Sequence, residues 1–230
     1  MLTPCVNGEV CGGGKYTYQP PQPPQPAVPV PGDEVVEWLI AEEMLPNAQG
    51  HYAMTIQTFN EWAATSLFRC TIGEDGFTAC SQAIGYRLVA YRLWKSMVQS
   101  GGPWDHKEQI TKLFGKGYSV LHNGYLYRFD IWSNVHYGYV GRKVGFTPIE
   151  LRAGAGYAQI RDRTSKLSYW SSWFDDPYDQ AAINVGIELY EVYQLDITPQ
   201  NFWEIFDKYA PSLPRRWFGE ASGGGGSGFE

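Results

Sequence analysis

Residues 118–141, with the sequence YSVLHNGYLYRFDIWSNVHYGYVG, interrupt an otherwise helical pattern. Asn123-Gly124 separates two short aromatic runs that are typical of β-strands. A two-residue Asn-Gly loop favours a tight hairpin, because both of its positions adopt positive φ. The sequence therefore predicts one small β-hairpin near 118–129, with Asp130 directly after its second strand.

The segments on both sides of this hairpin are predicted to be helical. Apolar residues recur at helical spacing after Asp33, a suitable N-cap, and again over about 51–67 and 79–99. Three further helix starts follow the hairpin, each with proline at the first helical position: Thr147-Pro148, Asp176-Pro177 and Thr198-Pro199. The predicted fold class is mainly α (α+β), a helical domain with one small β-hairpin.

Composition divides the 230 residues into one folded unit and two tails. Residues 1–32 are rich in Cys, Gly and Pro and predict a flexible spacer, 33–219 the folded domain, and 220–230 a Gly/Ser-rich linker or tail. Aromatic residues make up 16% of the chain, which fits either a Tyr/Trp-rich core or an aromatic cleft that stacks sugars or bases. The sequence leaves open whether the cysteines are free or paired: Cys5, Cys11, Cys70 and Cys80.

Charge and hydropathy narrow the functional classes. The net charge of −6 disfavours a broad basic face for nucleic acid, although a nuclease with a small local basic site stays possible. We find no apolar run near the roughly 20 residues needed to cross a bilayer, and no signal peptide. We therefore expect no stable membrane insertion, a monomer, and delivery by a carrier segment or a secretion machine.

The segment after the hairpin concentrates polar chemistry. His136 is the leading catalytic candidate, because imidazole titrates near neutral pH, and Asp130 could orient it. If Ser133 caps a helix there, its early turns also carry three candidate substrate-binding residues: Trp132, Asn134 and Tyr137. The competing interpretation makes His136 a core or rim residue and Asp130 a turn acid. Three glycines along this predicted helix would allow close packing or ligand access: Gly138, Gly141 and Gly145.

A second cluster, Trp104-Asp105-His106-Lys107, follows a Gly-Gly-Pro break. An acid, an imidazole and an ammonium side by side suit proton transfer or anion binding, so Asp105, His106 and Lys107 join the catalytic candidates and Trp104 the substrate-binding ones. The alternative is a solvated helix start capped by Asp105.

A third cluster contains Asp175, Asp176 and Asp179. Three carboxylates could bind a divalent cation, but Asp176 and Asp179 are also expected to cap a helix. We favour pairing with a basic residue, either Arg142, Arg161 or Lys107, and count Asp176 and Arg142 among the substrate-binding candidates. Zinc, nucleotide-phosphate, dinucleotide and serine-nucleophile motifs are missing from the sequence, so we expect neither a metal nor another cofactor.

Taken together, the clusters resemble the bacterial polymorphic toxin type 44 domain over about 35–193. The resemblance rests on the order and spacing of three segments: Gly102–Lys107, Asp130–Gly141, and Asp175–Gln180 with Ile183, Gly186 and Tyr190. Gly145-Phe146 and Gly154-Ala155-Gly156 with Gln159 lie between them. The resemblance implies a toxin effector domain, usually regarded as a ribonuclease, that an immunity protein neutralises in the producing cell.

Three functions remain open at this point. The first is a metal-independent ribonuclease toxin with His136 as general acid or base, Asp130 orienting it, and Lys107 with His106 stabilising the phosphate. The second is a cell-wall glycan hydrolase that draws its paired carboxylates from Asp105, Asp130 or Glu150. The third is a binding module without catalysis.

Overall fold

A computed structural model of the protein describes residues 28–161 and 177–219. Its helices are α1 (Gly32–Trp38), a π-helical turn (Leu39–Met44), α2 (Leu45–Gln49), α3 (His51–Thr71), α4 (Gly76–Val98), α5 (Lys107–Phe114), α6 (Ile131–Lys143), α7 (Pro148–Arg161), α8 (Pro177–Tyr193), α9 (Pro199–Tyr209) and a 3₁₀ turn (Ala210–Ser212). Its strands are β1 (Val30–Pro31), β2 (Tyr118–His122), β3 (Tyr125–Arg128) and β4 (Arg215–Trp217). The mainly helical α+β class is confirmed.

The predicted hairpin forms the centre of a four-stranded sheet with the order β1-β2-β3-β4. Its two loop residues have positive φ, 47° at Asn123 and 78° at Gly124, as an Asn-Gly loop requires. The sequence did not reveal β1 and β4, because strands of two and three residues carry too few positions to show an alternating pattern. β1 pairs with β2 ahead of the predicted domain start at residue 33.

The first helix is continuous from α1 through the π-helical turn to α2. Within the turn the amide of Leu45 bonds to the carbonyl of Ile40, five residues back. Pro46 explains this widening, because proline lacks an amide hydrogen and its ring clashes with the carbonyl four residues earlier. The helix begins at Gly32, and the predicted cap Asp33 instead accepts a hydrogen bond from Trp203 at 2.7 Å.

Helix α6 is the central element, and most of its residues are buried. It packs against α8 through two glycines: a Cβ on Gly138 would meet the main-chain carbonyl of Ile183, and one on Gly186 that of Val135. The expected close packing at Gly138 is therefore present. Two details of the prediction are wrong. Asp130 rather than Ser133 precedes the helix, and Gly145 lies beyond its end with φ +94°.

Helices α3 and α4 form a long antiparallel hairpin that a disulfide between Cys70 and Cys80 joins near its tip. Cys5 and Cys11 lie outside the described residues. The helices predicted to start at Thr147 and Thr198 both begin with a capping box, in which Glu150 and Asn201 are the reciprocal partners. Among the described residues, no helix is both long and apolar enough to cross a membrane.

Candidate active site

Two imidazoles from different parts of the chain meet in the interior. His106 directly precedes α5, and His136 lies in the second turn of α6. Their Nε2 atoms are 3.4 Å apart, and the rings meet edge to face with their centroids separated by 4.3 Å. Only 2% of His106 and none of His136 is exposed. The fold thus brings the Trp104–Lys107 cluster and the segment after the hairpin together through these two residues.

Two residues of the N-terminal helix complete the cluster. Glu43, in the π-helical turn, places its carboxylate 3.2 Å from Nδ1 of His106. Asn47, one turn later, places its amide nitrogen 3.1 Å from both that carboxylate and Nε2 of His136. Glu43 is buried with the two histidines. We call these four residues the histidine cluster: Glu43, Asn47, His106 and His136.

The contacts of the histidine cluster restrict where its hydrogens lie. A carboxylate only accepts hydrogen bonds, so Nδ1 of His106 carries the hydrogen that faces Glu43. When both rings are neutral, Nε2 of His106 is therefore an acceptor, and His136 must donate from its own Nε2. When one proton is added, His106 donates from both nitrogens, and Nε2 of His136 becomes the acceptor. One hydrogen lies between the two rings in either state.

Asn47 fits the protonated state. Its two amide hydrogens then bond to Glu43 and to Nε2 of His136, both of which accept. In that state His136 carries its own hydrogen on Nδ1, to which no described residue bonds with normal geometry. A proton taken up by His136 therefore shifts the shared hydrogen towards His106. We call His106 and His136 the relay, because this contact allows a hydrogen to pass between the two rings.

Burial sets the protonation of both rings. It lowers the pKa of His136 well below its ordinary 6.5, and the neighbouring His106 lowers it further. Burial also lowers the pKa of His106, while the negative charge of Glu43 acts in the opposite direction. The added proton therefore resides on His106, beside the carboxylate, and His136 is the base of the pair. Such a division of roles is what acid–base catalysis requires.

Asp105 and Lys107 flank His106 in the chain, and the charge of Asp105 also acts to raise the pKa of His106. Asp105 accepts a hydrogen bond from the Gly101 amide at 3.0 Å, and Lys107 is exposed at the start of α5. A shallow groove beside α5 is lined by Asp105, Glu108, Gln109, Lys112 and Leu113. Both side chains thus lie at the surface next to the buried imidazoles rather than among them.

The predicted role of Asp130 as the acid that orients His136 is wrong. Its carboxylate accepts a hydrogen bond from Arg128 at 2.6 Å, and the carboxylate that contacts the histidine pair is that of Glu43. Asp179 accepts from Arg128 and from Asn134, at 3.4 and 3.0 Å. Arg128 thus pairs with Asp179. Asn134 belongs to this separate polar group. Pairing of one of the three acids with Arg142, Arg161 or Lys107 stays a prediction, because Asp175, Asp176 and the Arg161 side chain lie outside the described part of the structure.

Most of the other predicted substrate-binding residues have structural partners. The Tyr137 hydroxyl donates to the Leu151 carbonyl at 3.0 Å, and its ring lies 5.1 Å from that of Trp94. Arg142 pairs with Glu191 at 2.9 Å and also bonds to the Phe146 carbonyl. These contacts tie α6 to its neighbours.

Two tryptophans proposed to bind substrate are core residues, which corrects that prediction. Trp132 is fully buried and stacks on Phe206, with ring centroids 5.4 Å apart. Trp104 is buried too, and its ring lies 6.2 Å from that of His136. Both tryptophans stand in polar sequence clusters but pack in the interior of the protein. Trp104 covers one side of the relay.

The third sequence cluster, Asp175, Asp176 and Asp179, was considered as a site for a divalent cation. Asp175 and Asp176 lie outside the described residues. Within 28–161 and 177–219, no group of three or more His, Cys, Asp or Glu side chains is arranged to hold a metal ion. Of the third cluster, Asp179 contacts Arg128 and Asn134.

Sequence reasoning missed Glu43 and Asn47. One signal was available for Glu43, which interrupts the apolar stripe of Leu39, Ile40 and Met44 at helical spacing. A charged side chain on a buried stripe needs a partner, so it marks a polar cluster in the interior. The interruption did not reveal which partner Glu43 has.

Part of the chain matches a known protein family. The family model described as bacterial toxin 44 matches residues 93–192, which confirms the resemblance for the segment that holds the three sequence motifs. The part of the predicted span ahead of residue 93 is not covered by this match. No curated protein and no solved structure matches the chain.

Proposed function

We propose that this chain, whose residues 93–192 belong to the bacterial toxin 44 family, is a toxin effector that cleaves RNA by acid–base catalysis between His106 and His136. The observation that carries the proposal is the 3.4 Å contact between the two Nε2 atoms. RNA supplies its own nucleophile, the 2′-hydroxyl. Its cleavage therefore needs only one group that removes a proton and another that returns one to the leaving oxygen.

The charges in the histidine cluster assign these two roles. The pKa of His136 is lowered well below 6.5, so His136 is neutral and acts as the base. The negative charge of Glu43 stabilises the cationic form of His106, which acts as the acid. Lys107 lies at the surface beside His106, where its ammonium can stabilise a phosphate that gains charge in the transition state. The proposal needs no metal ion in any step.

Access to the relay requires movement, because His106 and His136 are almost completely buried. The turn of residues 99–106 ahead of α5 contributes Trp104 to the cover of the relay, and in this proposal it is the part that moves. The structure described here is accordingly the closed form in this proposal. Asp105, which directly precedes His106, lines the groove beside α5, so an opening on that side would expose His106 first.

The direct test uses the purified full chain and three oligonucleotides of one sequence. We expect the RNA to be cut in the presence of a chelator. The DNA and an RNA with 2′-O-methyl groups should stay intact, because neither offers a free 2′-hydroxyl. Intact cellular RNA in cells that the protein kills would overturn the proposal, as would equal cleavage of all three oligonucleotides.

The glycan hydrolase is less well supported by the described residues. Its general acid needs a raised pKa, but Glu150 accepts hydrogen bonds from Arg87, Tyr91 and Thr147, and its pKa is about 2. Directing the protein separately to the cytoplasm and the periplasm of a test cell discriminates the two activities. Killing from the cytoplasm supports the ribonuclease, and killing from the periplasm alone supports the glycan hydrolase.

Delivery into a target cell and protection of the producer belong to the same proposal. A cognate immunity protein is expected to bind the toxin domain and prevent RNA cleavage in the producing cell. Co-expression of the neighbouring open reading frame should restore growth of cells that make the toxin. Continued killing in the presence of every neighbouring product would contradict this part of the proposal.

A further inference from the structure

We propose that Glu43 is the positioning residue of His106, so that the active centre extends beyond the family segment into the π-helical turn of the N-terminal helix. The inference rests on the proposed function for its kinetic consequences but not for its structural ones. Glu43 and Asn47 both lie ahead of residue 93, where the match to bacterial toxin 44 begins. The matched segment alone would therefore lack half of the histidine cluster.

Geometry makes Glu43 the residue that selects the tautomer of His106. Its carboxylate lies 3.2 Å from Nδ1 and therefore fixes a hydrogen on that nitrogen. Nε2 of His106 is then left to exchange a hydrogen with His136, at 3.4 Å. Without the carboxylate, this contact would no longer hold the hydrogen of neutral His106 on Nδ1.

The π-helical turn explains how Glu43 reaches this position. Six residues in π-helical geometry widen the helix directly before Leu45, and Asn47 follows Glu43 by four residues. The amide of Asn47 bonds to the same carboxylate oxygen, which orients it towards His106. Single π-helical turns persist at functional sites although their hydrogen bonding is less regular than that of an α-helix.

Because Glu43 is buried, its negative charge has a large effect on the protonation of His106. The carboxylate and His106 are both buried, so water screens their attraction poorly. Burial lowers the pKa of His106, and the charge of Glu43 is the largest influence that raises it, followed by a hydrogen bond to the Gln109 side chain and the charge of Asp105. Removal of its charge should therefore lower the pKa of the acid in the relay and shift the alkaline limb of the pH–rate profile to lower pH.

The kinetic test compares Glu43→Gln, Glu43→Asp and the control Glu42→Gln, which removes the neighbouring exposed carboxylate. For Glu43→Gln we expect kcat to fall at least about tenfold with KM unchanged, and the alkaline limb to move to lower pH. Glu43→Asp keeps the charge and should retain the position of the limb. A residue that only supports folding would lower the active fraction in Glu43→Gln without moving the limb, and that result would overturn the inference.

A second measurement separates this inference from the proposed function. In ¹⁵N-histidine spectra of the full chain above the pKa values of the pair, His106 should be the Nδ1–H tautomer, and Glu43→Gln should abolish that preference. This result would support the positioning role even if the protein cleaved no RNA, in which case the proposed function alone would fail. An Nε2–H tautomer of His106 in the unmodified protein would overturn the inference whatever the activity.

Discussion

Nε2 of His106 and Nε2 of His136 face each other at 3.4 Å, and a buried carboxylate fixes the hydrogen on the far side of His106. Two neutral imidazoles in this arrangement can hold only one hydrogen between them. The pair can take up one more proton, but a second added proton would leave two cations in contact inside the protein. This relationship determines both the activity and the stability that we expect as functions of pH.

The pH optimum of RNA cleavage should lie below 6.5. Catalysis in our account needs His106 protonated and His136 neutral. The pKa values of both are lowered from 6.5, so this form increases only as the pH falls below that value. At still lower pH the second proton binds and activity is lost again. A profile of kcat/KM against pH measures this, and an optimum above pH 7 would contradict the assignment.

Acid should destabilise the folded protein through the same two rings. The pKa of His136 is lowered on folding, so the unfolded chain binds a proton at pH values where the folded protein does not. By linkage, the contribution of the neutral His136 to the free energy of unfolding is fully present above about pH 6.5 and decreases as the pH falls below that value. Urea unfolding of the unmodified protein and of His136→Gln over this range should show a weaker pH dependence for the variant. Equal slopes would show that His136 titrates normally in the folded state.

The sequence was informative where the signal is local. Asn123-Gly124 predicted the hairpin, and the Thr-Pro pairs predicted the starts of α7 and α9, because turn and cap chemistry acts over a few residues. His106 and His136 were identified as candidates from their polar clusters. Their contact, however, depends on how α5 and α6 pack, which local patterns do not encode.

The errors have a common physical origin. Asp130 precedes His136 in the same motif, yet the helix directs the two side chains to different faces, and the carboxylate that contacts the relay comes from Glu43. Similarly, Trp132 looked like a substrate-stacking residue but fills the core. Proximity in sequence was mistaken for proximity in space, and the correct partner lies in an element whose π-helical turn no pattern predicted.

Close packing of α6 on α8 predicts opposite effects for two glycine substitutions. Gly186→Ala should destabilise the fold by about 1–3 kcal/mol or more, because the new Cβ meets the Val135 main chain, which cannot move aside. Gly85→Ala is the matched control within α4, where nothing lies within 4 Å of the added Cβ. It should stabilise by up to about 1 kcal/mol through helix propensity. Denaturant unfolding measures both, and equal effects would contradict the packing described here.

Glu150 should matter for stability and not for catalysis. It joins α7 to Arg87 and Tyr91 of α4, and its pKa of about 2 keeps it ionised at any pH near neutral. Glu150→Gln should lower the melting temperature but leave kcat of the folded protein unchanged. Its stabilising effect should be lost in the unmodified protein as the pH falls from about 4.5 to 2. Loss of toxicity in a fully folded Glu150→Gln variant would instead favour the glycan hydrolase.

Single-turnover cleavage of RNA by His106→Gln, His136→Gln and the double variant tests the central claim most directly, with His51→Gln as an exposed control. If the two imidazoles act as one relay, each single variant should lose about 10²–10⁴-fold, and the double variant little more than either alone. Thermal melts of each variant establish that it is folded. Full activity in a folded His136→Gln variant, or losses that simply multiply, would show that the two rings do not work as a pair.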